Sequence, residues 1–178
     1  MTARAERVSI ETIREWLAYN SETGDIVWRR SKKGVRVGER AGYISHPSRK
    51  SGTGGHRAIK IEQRRFFGHR IAWAMHYGDW PPDGFDVDHI NGNRDDNSIV
   101  NLRLATRSQN IANSKRSKLN TSGVKGVTWS KRERKWMAQI RVAGKRINLG
   151  YYSCIEDAGR AYRTAAMTHF GDFANFGD

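Results

Sequence analysis

Cysteine is nearly absent from this chain: Cys154 is the only one in 178 residues. A single thiol excludes an intramolecular disulfide and any zinc site built on several cysteines, and it suits a reducing compartment. Long apolar runs are missing too, since none approaches the roughly 20 residues that a membrane span needs. The opening Met1-Thr2-Ala3-Arg4-Ala5-Glu6-Arg7 is charged with no apolar stretch behind it, which argues against a signal peptide. Acids are scarce, 18 against 32 Lys plus Arg, and the formal net charge is +14. Such a surplus attracts polyanions, of which nucleic acid is the commonest. A basic ribosomal or nucleoid-type protein satisfies the composition as well as an enzyme does. The length allows one medium domain or two small ones, and no internal repeat is visible. Apolar content is low at 37%, but six Trp, six Tyr and six Phe can anchor small cores.

The charge is unevenly spread. Between residues 26 and 70 thirteen Lys or Arg face only Glu39 and Glu62, and between 97 and 155 thirteen more face Glu133 alone. Residues 79–96 interrupt this surplus with six aspartates and one arginine. Basic flanks can grip a phosphate backbone while an acidic middle holds a hard cation. A solvated loop with turn-forming aspartates would look the same for most of the six.

The pattern predicts a helix over 9–19, with Ser9 as N-cap and Ile10, Ile13, Trp16 and Leu17 on one face. A turn through Glu22-Thr23-Gly24-Asp25 leads into a strand at 26–29. Residues 31–55 read as irregular, 58–67 as a hairpin, and 69–77 as a helix stopped by Gly78 and Pro81-Pro82. Residues 114–122 lack any apolar period and read as a basic linker. Three strand-like runs follow, at 126–129, 136–142 and 146–150. A helix from about 155 to 170 comes after them, with Ala158, Ala161, Tyr162, Ala165 and Ala166 on one face. The fold class expected is therefore α+β.

Chemistry is concentrated in DVDHINGNRDDNSIVNLRLATRSQNIAN, residues 86–113. Asp86-Val87-Asp88-His89-Ile90 reads as a short strand, Asn91-Gly92-Asn93 as a turn, 102–106 as a returning strand and 107–113 as a helix. Strand, loop, strand and helix let distant residues converge. The run Asp88-His89, Asn91-Gly92-Asn93, Asn97, Asn101-Leu102-Arg103, Asn110 resembles the HNH endonuclease motif, in the subgroup found in phage and intron-encoded homing enzymes. Gly68-His69-Arg70-Ile71-Ala72-Trp73 and Trp80-Pro81-Pro82 resemble the same proteins. The likeness spans about 9–113 and is strong from 68 onward.

The resemblance implies two strands and a helix around one metal, with an HNH core at 84–113. It implies Asp88 and Asn110 as metal ligands and His89 as the general base that takes a proton from the attacking water. It gives Asn101 the task of fixing the loop and orienting the histidine. The third motif position is often histidine and is here Asn110, so the oxygen-rich set favours Mg²⁺ or Mn²⁺ over tightly held zinc. His69 and His76 are expected to pack near the site rather than bind metal. His46, His56 and His169 have no companions in the sequence and receive no role.

Residues 123–176 resemble the DNA-binding domain of plant ethylene-response factors. The likeness rests on Gly123-Val124-Lys125-Gly126-Val127, Lys135-Trp136-Met137-Ala138-Gln139-Ile140-Arg141, Leu149-Gly150-Tyr151-Tyr152, Glu156-Asp157-Ala158, Ala161-Tyr162, Phe170-Gly171 and Ala174-Asn175-Phe176. Alternation puts Trp136, Ala138, Ile140, Val142, Ile147 and Leu149 on the side of the helix. It leaves Gln139, Arg141, Arg146 and Asn148 outside, where Arg141 and Arg146 can meet bases or phosphates and Gln139 and Asn148 can read adenine edges. The plant pattern has tryptophan where Asn148 stands, so the target sequence should differ.

The sequence thus predicts a nuclease region at 1–113, a linker at 114–122 and a three-stranded antiparallel sheet plus one helix at 123–178. The expected activity is metal-dependent hydrolysis of double-stranded DNA, with site preference set by the C-terminal domain and affinity raised by linking two binders. The expected protein is a monomer with no membrane partner, working in the cytoplasm, that of a bacterial host if phage-encoded. Two rival readings are a non-catalytic DNA-binding regulator with a vestigial nuclease site and a structure-selective nuclease acting on branched or RNA-containing substrates.

Overall fold

The computed structural model describes residues 8–45 and 55–177. It is a mixed α+β chain of small sheets and few helices, dividing into two compact units between Leu104 and Ala105. His46 lies outside the described residues.

Unit 1 begins with α1 (Ile10–Trp16), whose N-cap Ser9 accepts a hydrogen bond from the Thr12 amide at 3.1 Å. The helix is shorter than the sequence predicts. Leu17–Tyr19 turns into strand β1 and pairs antiparallel with β2 (Ile26–Trp28), Leu17 opposite Trp28. The switch keeps Leu17 fully buried while freeing its backbone for the ladder, so tertiary pairing overrides the helical period. A second sheet runs in the order β3 (Tyr43–Ile44), β4 (Arg57–Ile61), β5 (Arg64–Phe67). Its β4–β5 hairpin turns at Glu62 and Gln63, both with positive φ, as a tight two-residue turn requires. Helix α2 (Gly68–Tyr77) follows without a gap and ends at Gly78, which adopts the left-handed conformation expected of a helix stop.

The core of unit 1 gathers Ile13, Leu17, Ile26, Trp28, Ile59, Ile61, Ile71 and Ala72. Val87 and Leu102 join it from β6 (Phe85–His89) and β7 (Leu102–Thr106), which form a two-stranded sheet. A short 3-10 turn, Ile99–Asn101, leads into β7. The helix α3 (Arg107–Ala112) is started by a capping box in which Thr106 and Gln109 satisfy each other's backbone amides.

In unit 2, β8 (Val127–Ser130), β9 (Lys135–Val142) and β10 (Lys145–Tyr152) form an antiparallel sheet in the order β10-β9-β8. Helix α4 (Ile155–Phe170) covers one face, burying Ala158, Tyr162, Ala166 and Phe170 against Val127, Ala138 and Ile140. Small side chains on the helix let it sit close to the sheet. Ile147, expected in this core, stands opposite Ile140 yet remains 37% exposed. A register shift between Asn148 and Gly150 follows it, and Leu149 returns to the packed side.

The expected boundary at 113/114 differs from the observed division by one helix. Ala112 of α3 packs with Ile140, Tyr162, Ala166 and Phe170, which places the helix in unit 2. The segment expected as a linker is also folded onto that unit. Lys125 Nζ donates to the carbonyls of Ala112, Ser114 and Asn175, and the side chains of Asn120 and Ser122 both reach the carbonyl of Val124. No helix among the described residues is long and apolar enough to cross a membrane.

Candidate active site

Strand β6 delivers three consecutive buried residues, Val87, Asp88 and His89. Val87 faces the apolar core, as alternation requires. Asp88 and His89 are only 6% and 4% exposed, unusual burial for groups that carry or can gain charge. Such burial needs partners. Asp88 Oδ2 accepts a hydrogen bond from Arg103 Nε on the neighbouring strand β7, at 3.1 Å. His89 Nε2 lies 3.2 Å from Asn97 Oδ1. The Asn97 oxygen can only accept, so the imidazole proton belongs on Nε2 and the lone pair on Nδ1. Burial, above all, pulls the His89 pKa below its ordinary value, while Asn97, Asp88 and Asp96 pull it back up. The result is a neutral ring at neutral pH with its orientation set.

Within the loop that supplies Asn97, short side chains make many of the hydrogen bonds. Asn91 Oδ1 accepts from the Asn93 backbone amide at 2.8 Å, Asn93 Oδ1 from the Asp95 backbone amide at 3.2 Å, and Asn91 Nδ2 donates to Asp96 Oδ2. Asp96 Oδ1 accepts from the Ser98 hydroxyl at 2.7 Å. Asn101 bridges the two ends of the loop, its Oδ1 accepting from the Asn91 amide and its Nδ2 donating to the Asp96 carbonyl. These Asx turns explain the density of Asn and Asp here: each short side chain replaces a backbone partner where no ladder exists.

The rest of unit 1 clamps this loop. Arg57 is buried on β4 and forms a two-pronged pair with Asp95, Nε to Oδ1 at 2.7 Å and Nη2 to Oδ2 at 3.1 Å. Tyr19 donates its hydroxyl proton to the Asn97 carbonyl at 2.8 Å. Gly24, with φ of +78°, brings backbone against backbone: a Cβ there would fall 2.3 Å from the Ser98 nitrogen.

Asn101 was expected both to fix the loop and to orient the histidine. The bonds it makes fix the loop, and the contact to the ring comes from Asn97, which the sequence showed as part of the motif without a distinct role. His56 needs correction. It was given no companion, yet the fold sets it beside His69 and His89, one candidate ligand atom from each lying within 4.8 Å of the others. His69 was expected to pack near the site, and it does, stacked on Phe67. His76 instead contacts Tyr77, and His169 contacts Phe170. No spacing rule links residue 56 to 69 and 89; only the β4–β5 hairpin and the start of α2 bring them together. Arg103, too, is visible as a partner of Asp88 only once β6 and β7 are paired.

Asp88 and His89 belong to unit 1, whereas Asn110 stands half-buried on α3 in unit 2. In unit 2 the four residues expected to face DNA form two cross-strand pairs, Arg141 opposite Arg146 and Gln139 opposite Asn148. Arg141, Arg146 and Asn148 are exposed, while the Gln139 Oε1 atom is closed off from solvent and has no hydrogen-bond partner.

Residues 66–112 match the family model described as HNH endonuclease. The chain is 40% identical over 95 residues to "Protein 3.8" of Escherichia phage T7, an alignment covering 53% of this chain and 78% of that one. No solved structure matches.

Proposed function

This chain carries an HNH endonuclease domain and belongs to the family of phage T7 Protein 3.8, and from that premise we propose that it is a metal-dependent, homing-type DNA endonuclease. The observation that carries the reading is the pair on β6: a buried, neutral His89 held by Asn97 directly beside the buried carboxylate of Asp88. His89 Nδ1 takes a proton from a water as that water's oxygen attacks the scissile phosphorus. Asn97 steadies the Nε2–H of the imidazolium that results. The P–O3′ bond breaks, the 3′-oxygen leaves and is protonated, and the ends are a 5′-phosphate and a 3′-hydroxyl.

The donor set fits a hard divalent ion. Asp88 offers a carboxylate, and Asn110 is carried by the motif as the second oxygen ligand, the composition that suits Mg²⁺ or Mn²⁺. When bound, such an ion would neutralise charge on the phosphate and the leaving oxygen. Arg103 holds the Asp88 carboxylate in place through its Nε–H···Oδ2 hydrogen bond.

Site preference is assigned to the outer face of the β8–β10 sheet. Like charges directly opposite on an antiparallel ladder destabilise it, so the Arg141–Arg146 pair makes sense as a receptor for phosphate or a guanine edge. Asn148 beside it can read a base, with Gln139 as its cross-strand neighbour. The protein would act as a monomer in the host cytoplasm, nicking one strand per visit.

Supercoiled plasmid, with Mg²⁺ or Mn²⁺, tests this with the native chain and His89→Ala. Loss of a general base should slow nicking by about 10²- to 10⁴-fold, with DNA affinity retained. Tight binding without any cleavage by the native chain would instead identify a non-catalytic DNA-binding regulator.

A further inference from the structure

Three imidazoles from separate elements meet inside unit 1: His56 just before β4, His69 in the first turn of α2 and His89 at the end of β6. Their ring centroids are 4.7 Å (56–69), 5.1 Å (69–89) and 5.8 Å (56–89) apart. Three imidazoles bound tetrahedrally to zinc, with Zn–N near 2.1 Å, have ring centroids about 5.3 Å apart. The centroids are therefore spaced as in a bound set, and the ligand atoms, within 4.8 Å of one another, would draw in to about 3.4 Å around the ion. His69 adds an independent sign. It is 7% exposed, and its Nδ1 has neither solvent nor a hydrogen-bond partner. A buried imidazole nitrogen left so is costly unless something occupies it.

We propose that His56, His69 and His89 form an inhibitory site for a borderline transition-metal ion such as Zn²⁺, distinct from the oxygen site of the hard catalytic ion. The ligand chemistry separates the two. Neutral imidazole nitrogens prefer zinc and its neighbours, and carboxylate and amide oxygens prefer magnesium or manganese. Three histidines plus one open position is a complete zinc coordination set. Because His89 is shared, an ion held there takes the lone pair that would accept the proton from water, and cleavage stops while DNA binding continues. The environment suits a neutral ligand set: burial pushes His56 down to about 4, His69 well below its ordinary value and His89 down as well. Asp88 and Asp96 favour a cation near His89, and Arg94 opposes it. The inhibition rests on the nuclease reading above; the metal site does not.

Calorimetric titration of the native chain with Zn²⁺, in excess Mg²⁺, tests the site directly. One ion should bind per chain, and His56→Gln should weaken binding by at least about tenfold, the least that loss even of a supporting group costs a metal site. His169→Gln, in unit 2, should bind as the native chain does. In the nicking assay Zn²⁺ should inhibit the native enzyme at the concentration at which it binds. His56→Gln, measured against its own Mg²⁺ activity, should need at least ten times more. Equal zinc affinity in the native chain and a folded His56→Gln would overturn the proposal. Should His56→Gln not fold, Co²⁺ added to the native chain gives the answer. A tetrahedral nitrogen-site absorption supports the cluster, and a spectrum unchanged from aqueous Co²⁺ overturns it. A chain that captures zinc through His56 yet never cuts DNA keeps the site and loses the nuclease reading. One that cuts with Mg²⁺ and captures no zinc does the reverse.

Discussion

The two units differ in where the residues singled out for function stand. In unit 1 Arg57, His69, Asp88, His89, Asn97 and Asn101 are all buried. Unit 2 buries alanine, tyrosine and phenylalanine and leaves Arg141, Arg146 and Asn148 on its surface. Chemistry needs a base of fixed tautomer and shifted pKa, which a buried setting with a hydrogen-bonded ring supplies. Recognition of a polyanion needs charge that can reach outward, and burial would waste it. On the proposed reading the same surplus of base serves catalysis in one unit and recognition in the other.

Glycine substitutions separate the two most sharply. A methyl at Gly24 would meet the Asn97 carbonyl carbon at 2.5 Å and the Ser98 nitrogen at 2.3 Å, both backbone. A methyl at Gly126 would meet the Tyr162 ring at 2.1 Å, a side chain at the centre of the other core. Both residues have positive φ, so alanine is strained at either place. Each change should cost about 3 kcal/mol or more in urea unfolding. Gly24→Ala displaces the loop that carries Asn97 and should abolish nicking. Gly126→Ala should chiefly weaken DNA binding, with cleavage recovered at high DNA concentration. If both lost cleavage irrecoverably, the division of labour would be wrong.

A smaller effect sharpens the outward-facing side of the comparison. Arg141→Ala and Arg146→Ala should each weaken DNA binding and lower the slope of log affinity against log salt by about 1 if the guanidinium meets phosphate. An unchanged slope with relaxed site preference would place that arginine on a base edge instead. Turnover at saturating DNA should stay at the native level in both.

Much of unit 2 was legible in the sequence because its rules are local. Period-two alternation marks out β9, and alanine spacing marks out α4; Ile147 escaped because alternation records which way a side chain points and not how fully it is covered. The centre of the candidate site was legible for another reason, since Asp88, His89, Asn97 and Asn101 lie within fourteen residues and their turn chemistry is written in Asn and Asp. His56, Arg57 and Tyr19 were not legible. They reach the site from two other sheets, His56 and Arg57 at the start of β4 and Tyr19 on β1, and no periodicity records which strand edge will face which loop. The early end of α1 escaped for the same reason: Leu17 fits the helical face as well as the strand, and only pairing with Trp28 decides.

Tyr19 offers the finest test, because it touches the site only through the Asn97 backbone. Its hydroxyl donates to that carbonyl, and Tyr19→Phe should cost about 1 kcal/mol at neutral pH. Burial first, then the phenol of Tyr77 and the carboxylate of Asp96, raise the Tyr19 pKa to about 12. An unfolded tyrosine ionises near 10, so between those values the unfolded chain holds fewer protons than the folded one. Stability from this residue is therefore complete below pH 10 and drains away as pH climbs toward 12. The phenylalanine variant has nothing to ionise, so its alkaline limb should be shallower and the native and variant curves should converge. Urea unfolding at a series of pH values reads this directly. Parallel curves would mean that the hydroxyl ionises as readily in the folded chain as in the unfolded one, and that this part of unit 1 is open to water, the condition that distinguishes the surface of unit 2.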